Sequence, residues 1–354
     1  MSVPGSILVI RLSSLGDVLM AMPAVKAIKE RFGNTHISWL VEGSVAEFLA
    51  CQSFIDEVIQ FPRHSIVRGL KKGKSIGVAK ELQEFIKRLR KRKYDLVIDF
   101  HGIIKSAGLS TIVRGEKVIG FGKTYAKEKS HLFYDEKIEG EHRRIHKVAR
   151  NMLIAQALGI DEKPPEILPV IPSHAHAYIE QFLSENGIQA PLFALNPFSS
   201  KGSTFKRWHL DRYAELAQRI REAYNAYVLI LWGPGEKKEA EHIKRIAGDN
   251  VLLSCPTTIP QLFALLQKAV MYIGGDTGVM HLASLAKKPV VAIFGPTDVS
   301  INAPYGSPHV IVRKSVPCSP CKNKKCQERI CLDAITVDEV FEAVKKLQRQ
   351  QKLL

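Results

Sequence analysis

Nowhere does this 354-residue sequence run apolar for the length a bilayer-spanning helix needs. Only a short apolar run precedes Arg11, with no basic leader and no small-residue cleavage site, so the chain is expected to stay in the cytoplasm. Cysteine is scarce. Six in a chain this long do not make a disulfide scaffold, which fits a reducing compartment. No Walker A lysine loop and no G-x-G-x-x-G fingerprint occur, which removes support from ATP hydrolysis and NAD binding. No zinc-finger, RNP or GXXG signature accompanies the chain's basic charge, and nucleic acid is not an expected partner. No internal repeat or low-complexity segment stands out.

Acidic residues are in deficit: 51 Lys and Arg face 35 Asp and Glu, a formal charge of +16 that favours polyanionic partners. The excess is local. Twelve Lys or Arg lie between Arg63 and Lys93 against two acids, Glu81 and Glu84. A solvated helix face is the alternative meaning of such a run.

The length exceeds the usual size of a single core, and two domains are expected. Strand-like runs (ILVI, HISWLV, EVIQF, DLVIDF, then LFALNPF, YVLILWG, NVLLS, MYIGGD, PVVAIFG) alternate with helical ones, which predicts two parallel α/β sheets. Between the sets, the proline-rich, aperiodic GIDEKPPEILPVIPSHAH places a linker near Pro164 to Pro172. The domains are therefore taken as residues 1–170 and 171–354, the second closing with a helix opened by Thr336 or Asp338. Two such domains offer their sheet-edge loops to a cleft between them.

The stretch RLSSLGDVLMAMPAV follows the first strand, and Ser13 to Asp17 read as a strand-to-helix loop at a carboxyl sheet edge, where ligands bind. Asp17 is a candidate for chemistry there, or simply the helix N-cap. In the second half, YIGGDTGVMHLASL predicts a strand ending at Gly274-Gly275, a turn of Asp276 and Thr277, and a helix opened by Gly278. Its backbone donors and Thr277 suit a diphosphate. His281 lies one turn into that helix and is grouped with the donor site. Glu236, in the loop LWGPGE, is placed to accept ribose hydroxyls or else sits in the first turn of the next helix. Ser199, Ser200, Thr204, Lys206 and Arg207 fall in a polar loop, and Lys206 can neutralise a leaving phosphate without a metal. Cys318, Cys321, Cys326 and Cys331 form C-x2-C-x4-C-x4-C, which reads as reduced thiols or, alternatively, as a structural zinc site.

Taken in order, SSLGDVLMAMPA, VIDFHGIIKSA, FKRWHLDRYAEL, GGDTGVMHLA and FGPTD resemble glycosyltransferase family 9, the ADP-heptose:lipopolysaccharide heptosyltransferases, and VIDFHGIIKSA with LFYDEKI resembles the heptosyltransferase I branch. The resemblance implies an α/β GT-B fold of two Rossmann-like domains, with acceptor bound by residues 1–170 and ADP-heptose by residues 171–354. It implies Asp17 as catalytic base and Lys206 as phosphate partner, with no metal required for an inverting transfer to the Kdo of a lipid A-linked core. The donor side takes Ser199, Ser200, Thr204, Glu236, Asp276, Thr277, Gly278 and His281. The acceptor side takes Ser14, Gly16, Arg63, Arg68, Lys71, Lys72, His101, Lys105, His146 and Arg150. The basic patch would then meet lipid A phosphates and the anionic inner face of the cytoplasmic membrane, with the enzyme peripheral to it. Other readings are a family member with a different sugar or acceptor, as in heptosyltransferase II, or a sugar-nucleotide epimerase.

Overall fold

The computed structural model describes residues 3–189, 191–248, 251–321 and 323–353. The chain divides into two compact units, Met1–Val170 and Ile171–Leu354. No helix among the described residues is long and apolar enough to cross a membrane.

In the first unit, β1 (Ser6–Ile10), β2 (His36–Glu42), β3 (Glu57–Phe61), β4 (Tyr94–Asp99), β5 (Gly115–Phe121) and β6 (Glu136–Ile138) form one sheet. Its order is β3-β2-β1-β4-β5-β6, and every pairing is parallel. All five residues of β1 are buried, because a central parallel strand has both faces covered. Ile7 lies opposite Ile37 of β2 and Leu96 of β4. Chain connections leave β1 toward β2 and leave β4 toward β5, in opposite directions. The loops after β1 and β4 therefore part at the carboxyl edge, the topological switch point where doubly wound sheets bind ligands.

The second unit repeats that order. Its strands are β7 (Leu192–Asn196), β8 (Tyr227–Ile230), β9 (Val251–Leu253), β10 (Met271–Gly275), β11 (Val290–Phe294) and β12 (His309–Arg313). They run β12-β11-β10-β7-β8-β9, all parallel, with the switch point between β7 and β10. The closing helix, Val337–Gln351, starts at Thr336, whose hydroxyl accepts from the Glu339 amide while the Glu339 carboxylate accepts from the Thr336 amide. Its buried stripe of Val337, Val340, Ala343, Val344 and Leu347 joins the core around Phe193, Trp208 and Tyr213.

The alternation pattern does not mark β5, β6 or β12. β5 opens on an exposed Gly-Glu pair, β6 has three residues, and β12 is an edge strand with exposed ends. β6 and β12 are edge strands, which bury too little to write a clean apolar run, and β5, though interior, is buried only in its second half.

Candidate functional site

In the first unit the chain leaves β1 through Arg11 and enters a five-residue helix, Leu15–Leu19. Asp17 is the third residue of this helix, and Ser14 is the N-cap. The expected Ser13–Asp17 loop therefore ends at Ser14, and the alternative of Asp17 as cap is also corrected. A serine with an acid three residues on makes a capping box: Asp17 Oδ2 accepts from the Ser14 hydroxyl at 3.1 Å and from its amide at 3.5 Å.

Two cations hold the same carboxylate. Arg11 Nη2 lies 2.9 Å from Oδ2 and Lys147 Nζ 2.6 Å from Oδ1. Arg11 is itself fixed, its Nη1 donating to the Phe100 carbonyl at 2.6 Å just beyond β4. The Arg11 side chain is 6% exposed and that of Asp17 19%, so part of the carboxylate stays accessible. Burial alone would raise the Asp17 carboxyl, but Arg11, Lys147 and Arg150 outweigh it and hold the group well below the ordinary carboxylate value.

Beside this pair, the turn after β4 is clamped by Asp99. Its buried carboxylate accepts from the His101 amide at 2.7 Å, the Gly102 amide at 3.2 Å and the Tyr134 hydroxyl at 2.7 Å. Gly120 on β5 makes room for that tyrosine, since a Cβ there would come 2.4 Å from the Tyr134 ring. Burial, with the Arg11 charge adding to it, pushes His101 down to about 3, so its imidazole is neutral at pH 7. Its Nδ1 is buried without a hydrogen-bond partner among the described residues. Arg150 lies over the Phe121 ring at 5.2 Å and, lowered to about 10 mainly by burial, remains cationic. Lys127 shares this field: burial lowers it, and Asp17 opposes the shift.

The remaining acceptor candidates divide. Arg63, at 3.2 Å, and Lys105 both pair with Glu42, the buried last residue of β2. Gly16 is buried inside the Leu15–Leu19 helix, and His146 caps the helix Lys147–Ala157, its Nδ1 accepting from the Val148 amide at 3.2 Å. Arg68 and Lys71 lie on the helix Arg63–Lys71, which has no buried residue, and Lys72 is its C-cap. Among the described residues these three make no ion pair, unlike Arg63 and Lys105. Sequence reasoning singled out neither Arg11, Lys127 nor Lys147. Arg11 could have been found as the first residue beyond a buried strand, and Lys147 in the basic run HRRIHKVAR; nothing local marks Lys127.

In the second unit Asp276 follows β10 and is buried, with Lys206 Nζ 3.0 Å from its Oδ2 and His281 Nε2 4.0 Å from its Oδ1. Thr277 caps the helix Gly278–Leu285, accepting from the Met280 amide at 3.4 Å and from Asn196 Nδ2 at 3.1 Å. Gly274 admits this approach of strands: a Cβ would fall 2.8 Å from the Asn196 carbonyl and 2.5 Å from the Tyr272 hydroxyl. Lys206 thus pairs with the carboxylate immediately before the N-cap of the Gly278 helix, a helix end that carries partial positive charge.

The expected polar loop is partly ordered, since Lys201–Lys206 is a 3-10 helix. Ser199 is buried and donates to the Ser203 carbonyl at 2.8 Å, whereas Ser200 and Thr204 are exposed. Glu236 is the N-cap of the helix Lys237–Ala247, outside its first turn. Its carboxylate accepts from the Gly233 amide at 2.8 Å and from Arg207 at 2.6 Å, and burial raises its pKa. Arg207, which also reaches Glu239 at 3.0 Å, was visible in the loop but not chosen as a site residue.

The structural-zinc alternative is not supported. Cys318 is exposed, Cys331 buried and the other two half-buried, all as free thiols. Burial and the nearby Cys318, Cys321 and Cys326 raise the Cys331 thiol, so the four share a neighbourhood. Among the described residues they do not converge as a set of metal ligands. Lys322, within the same segment, lies outside the described residues.

The model of glycosyltransferase family 9 (heptosyltransferase) matches residues 82–331. Lipopolysaccharide heptosyltransferase 1 of Pseudomonas aeruginosa is 28% identical over 327 residues, spanning 90% of this chain and 87% of that protein. Lipooligosaccharide heptosyltransferase 2 of Campylobacter jejuni is 26% identical over 350 residues, 94% of this chain and 96% of that one. The E. coli heptosyltransferase WaaC solved with ADP superposes with a TM-score of 0.76 at 23% identity, covering 97% of this chain and 99% of that one. That likeness identifies the two doubly wound sheets as a GT-B fold. A family match over most of the chain, with Asp17 and the Gly278 helix each at a switch point, leads to one conclusion: this protein belongs to glycosyltransferase family 9, the heptosyltransferases.

Proposed function

We propose that this glycosyltransferase moves a heptose from ADP-heptose to the Kdo of a lipid A-linked inner core, with inversion and without a metal ion. The observation that carries the reading is the Asp17 carboxylate, ionised by Arg11 and Lys147 and still partly accessible at the β1 edge. The relatives, heptosyltransferases of lipopolysaccharide, suggest the substrate class, and ADP in the WaaC structure supports the nucleotide. Residues 1–170 take the acceptor and residues 171–354 the donor.

In this mechanism an acceptor hydroxyl oxygen bonds to the anomeric carbon on the face opposite the leaving group. The carbon–oxygen bond to ADP breaks, and its electron pair stays on the diphosphate oxygen. Lys206 and the Gly278 helix amides offset that charge. Asp17 takes the proton. So weak a base suffices because the hydroxyl turns strongly acidic only as its new bond forms, and the proton moves late. Neutral His101 offers a hydrogen bond to the acceptor, and Arg150 and Lys127 attract its carboxylate. Glu236, tethered by Arg207, keeps lone pairs for ribose hydroxyls. The enzyme works in the cytoplasm, peripheral to the inner membrane face.

Incubation with ADP-heptose and Kdo2-lipid A, read by mass spectrometry, tests the reading: one added heptose is expected, and it should persist in EDTA. No product with any Kdo-bearing acceptor would sink it. Product only from an acceptor that already bears a heptose would favour the second reading, a heptosyltransferase 2-type reaction, which the comparable identity to the Campylobacter jejuni protein supports.

A further inference from the structure

The helix Arg63–Lys71 has no buried residue, and it leads through Lys72 to Lys74 into the helix Ser75–Leu89. Along this connection Val67 is 45% exposed, Leu70 59% and Ile76 86%. Exposed apolar side chains scattered singly are ordinary, but here three fall within ten residues of one helix-turn-helix connection that also carries Arg68, Lys71, Lys72, Lys74 and Lys80. No acid lies between Arg63 and Lys80, and none of those five cations is in an ion pair among the described residues. The two helices are held together: a Cβ on Gly69 would come 2.4 Å from the Val78 side chain, and the Ser65 hydroxyl donates to Glu81. The patch is thus a built surface.

We propose that this helix pair docks on an anionic lipid bilayer, with Val67, Leu70 and Ile76 entering the interface and the surrounding Arg and Lys residues on lipid phosphates. Apolar side chains fringed by unpaired cations match the two layers of such a surface, acyl boundary below and anionic headgroups above. A protein partner would have to supply both an apolar socket and a ring of acids. The inference rests on the lipid-borne acceptor proposed above. It goes further in assigning the contact to this helix pair and in making Val67, Leu70 and Ile76 the side chains that enter the bilayer, independently of the acceptor.

Cosedimentation with vesicles free of any acceptor tests it separately from transfer. The wild-type protein should bind phosphatidylcholine–phosphatidylglycerol vesicles, bind pure phosphatidylcholine weakly, and lose binding as salt rises from about 0.1 M to about 1 M. The Val67→Ser, Leu70→Ser, Ile76→Ser variant should bind at least about tenfold more weakly. Its melting temperature and its turnover of a deacylated, soluble acceptor should be unchanged, and Ile76→Ser alone should show a part of the same loss. Wild-type affinity in the triple variant would overturn the proposal. So would binding that requires lipid A in the vesicle, which would make the patch an acceptor subsite. Absence of transfer to every acceptor, with vesicle binding intact, would instead remove the proposed reaction and leave the docking surface standing.

Discussion

The two units carry the same strand order and place their candidate residues at the same topological point, yet the two sites are charged in different ways. At the β1 and β4 edge, Arg11, Lys127, Lys147 and Arg150 all act on the carboxylate of Asp17, and Asp99 is the further acid there, so positive charge is in surplus. At the β7 and β10 edge, charges come in matched pairs, Lys206 with Asp276 and Arg207 with Glu236, and the surplus attraction for an anion comes from helix amides. Identical topology thus leaves the chemistry to the loops. The first arrangement keeps an aspartate ionised; in the reaction proposed above it would draw in an anionic acceptor, and the second would receive the diphosphate with little net charge of its own.

The sharpest way to break this comparison is Asp17→Asn. Turnover should fall by at least about 10², the scale for an acid–base group. Local reading of the sequence, with Asp17 as a loop residue, would leave the melting temperature almost unmoved. The ion pairs say otherwise: removing the carboxylate that pairs with buried Arg11 should cost about 3 kcal/mol, the scale for breaking a buried pair. A second change, Arg11→Met on the Asp17→Asn background, should restore much of the stability and none of the activity. A variant with wild-type turnover would take the base out of the mechanism.

Lys206→Ala should lower turnover by roughly 10² to 10³, as for loss of one charge-stabilising donor. Stability should fall less than with Asp17→Asn, since Lys206 is partly exposed. A wild-type rate would return Lys206 to a structural role.

His101 gives the comparison a pH signature. Its folded value is lowered from 6.5 to about 3, so below pH 6.5 the unfolded chain binds a proton that the folded one does not. Stability is therefore lost as pH falls from 6.5 toward 3, by up to about 1.4 kcal/mol per pH unit. Denaturant titrations of His101→Gln should show a flatter decline than wild type over that window. Equal slopes would contradict the buried neutral imidazole. Asp17 acts in the opposite sense to a raised group: its contribution is full above the unfolded value of about 3.9 and disappears only as pH falls through its still lower folded value.

The smallest effect should come from Thr277→Ala, which removes the cap of the Gly278 helix and costs about 1 kcal/mol. Donor KM should rise with kcat little changed, because the helix amides lose their fixed direction. An unchanged KM would uncouple the cap from donor binding.

Much of this was legible in the chain. The apolar run at Ile7 to Ile10 and the glycines before Asp276 announced strands ending in sites, since buried strands and tight turns restrict residue choice locally. Ser14 as cap was missed although the spacing to Asp17 writes a capping box, because Asp17 itself suits a cap equally well. The cysteine spacing left reduced thiols and a structural zinc site both open, since spacing alone does not fix where side chains converge; among the described residues the thiols do not gather as a set of metal ligands.

By itself, then, the sequence determined what depends on neighbours a few residues apart: most of the twelve strands, the helix opened by Gly278, the charge of the Arg63 to Lys93 segment and the ordered motifs of the family. Tertiary structure alone decided the state of the acid. Lys147 meets Asp17 across 130 residues once the helix Lys147–Ala157 packs against the helix Met22–Phe32, and Arg11 is oriented by the Phe100 carbonyl 89 residues on once the parallel sheet brings β1 and β4 side by side. The fall of Asp17 below its ordinary pKa follows from those cations, because Coulomb attraction acts through space in a buried site and not along the chain.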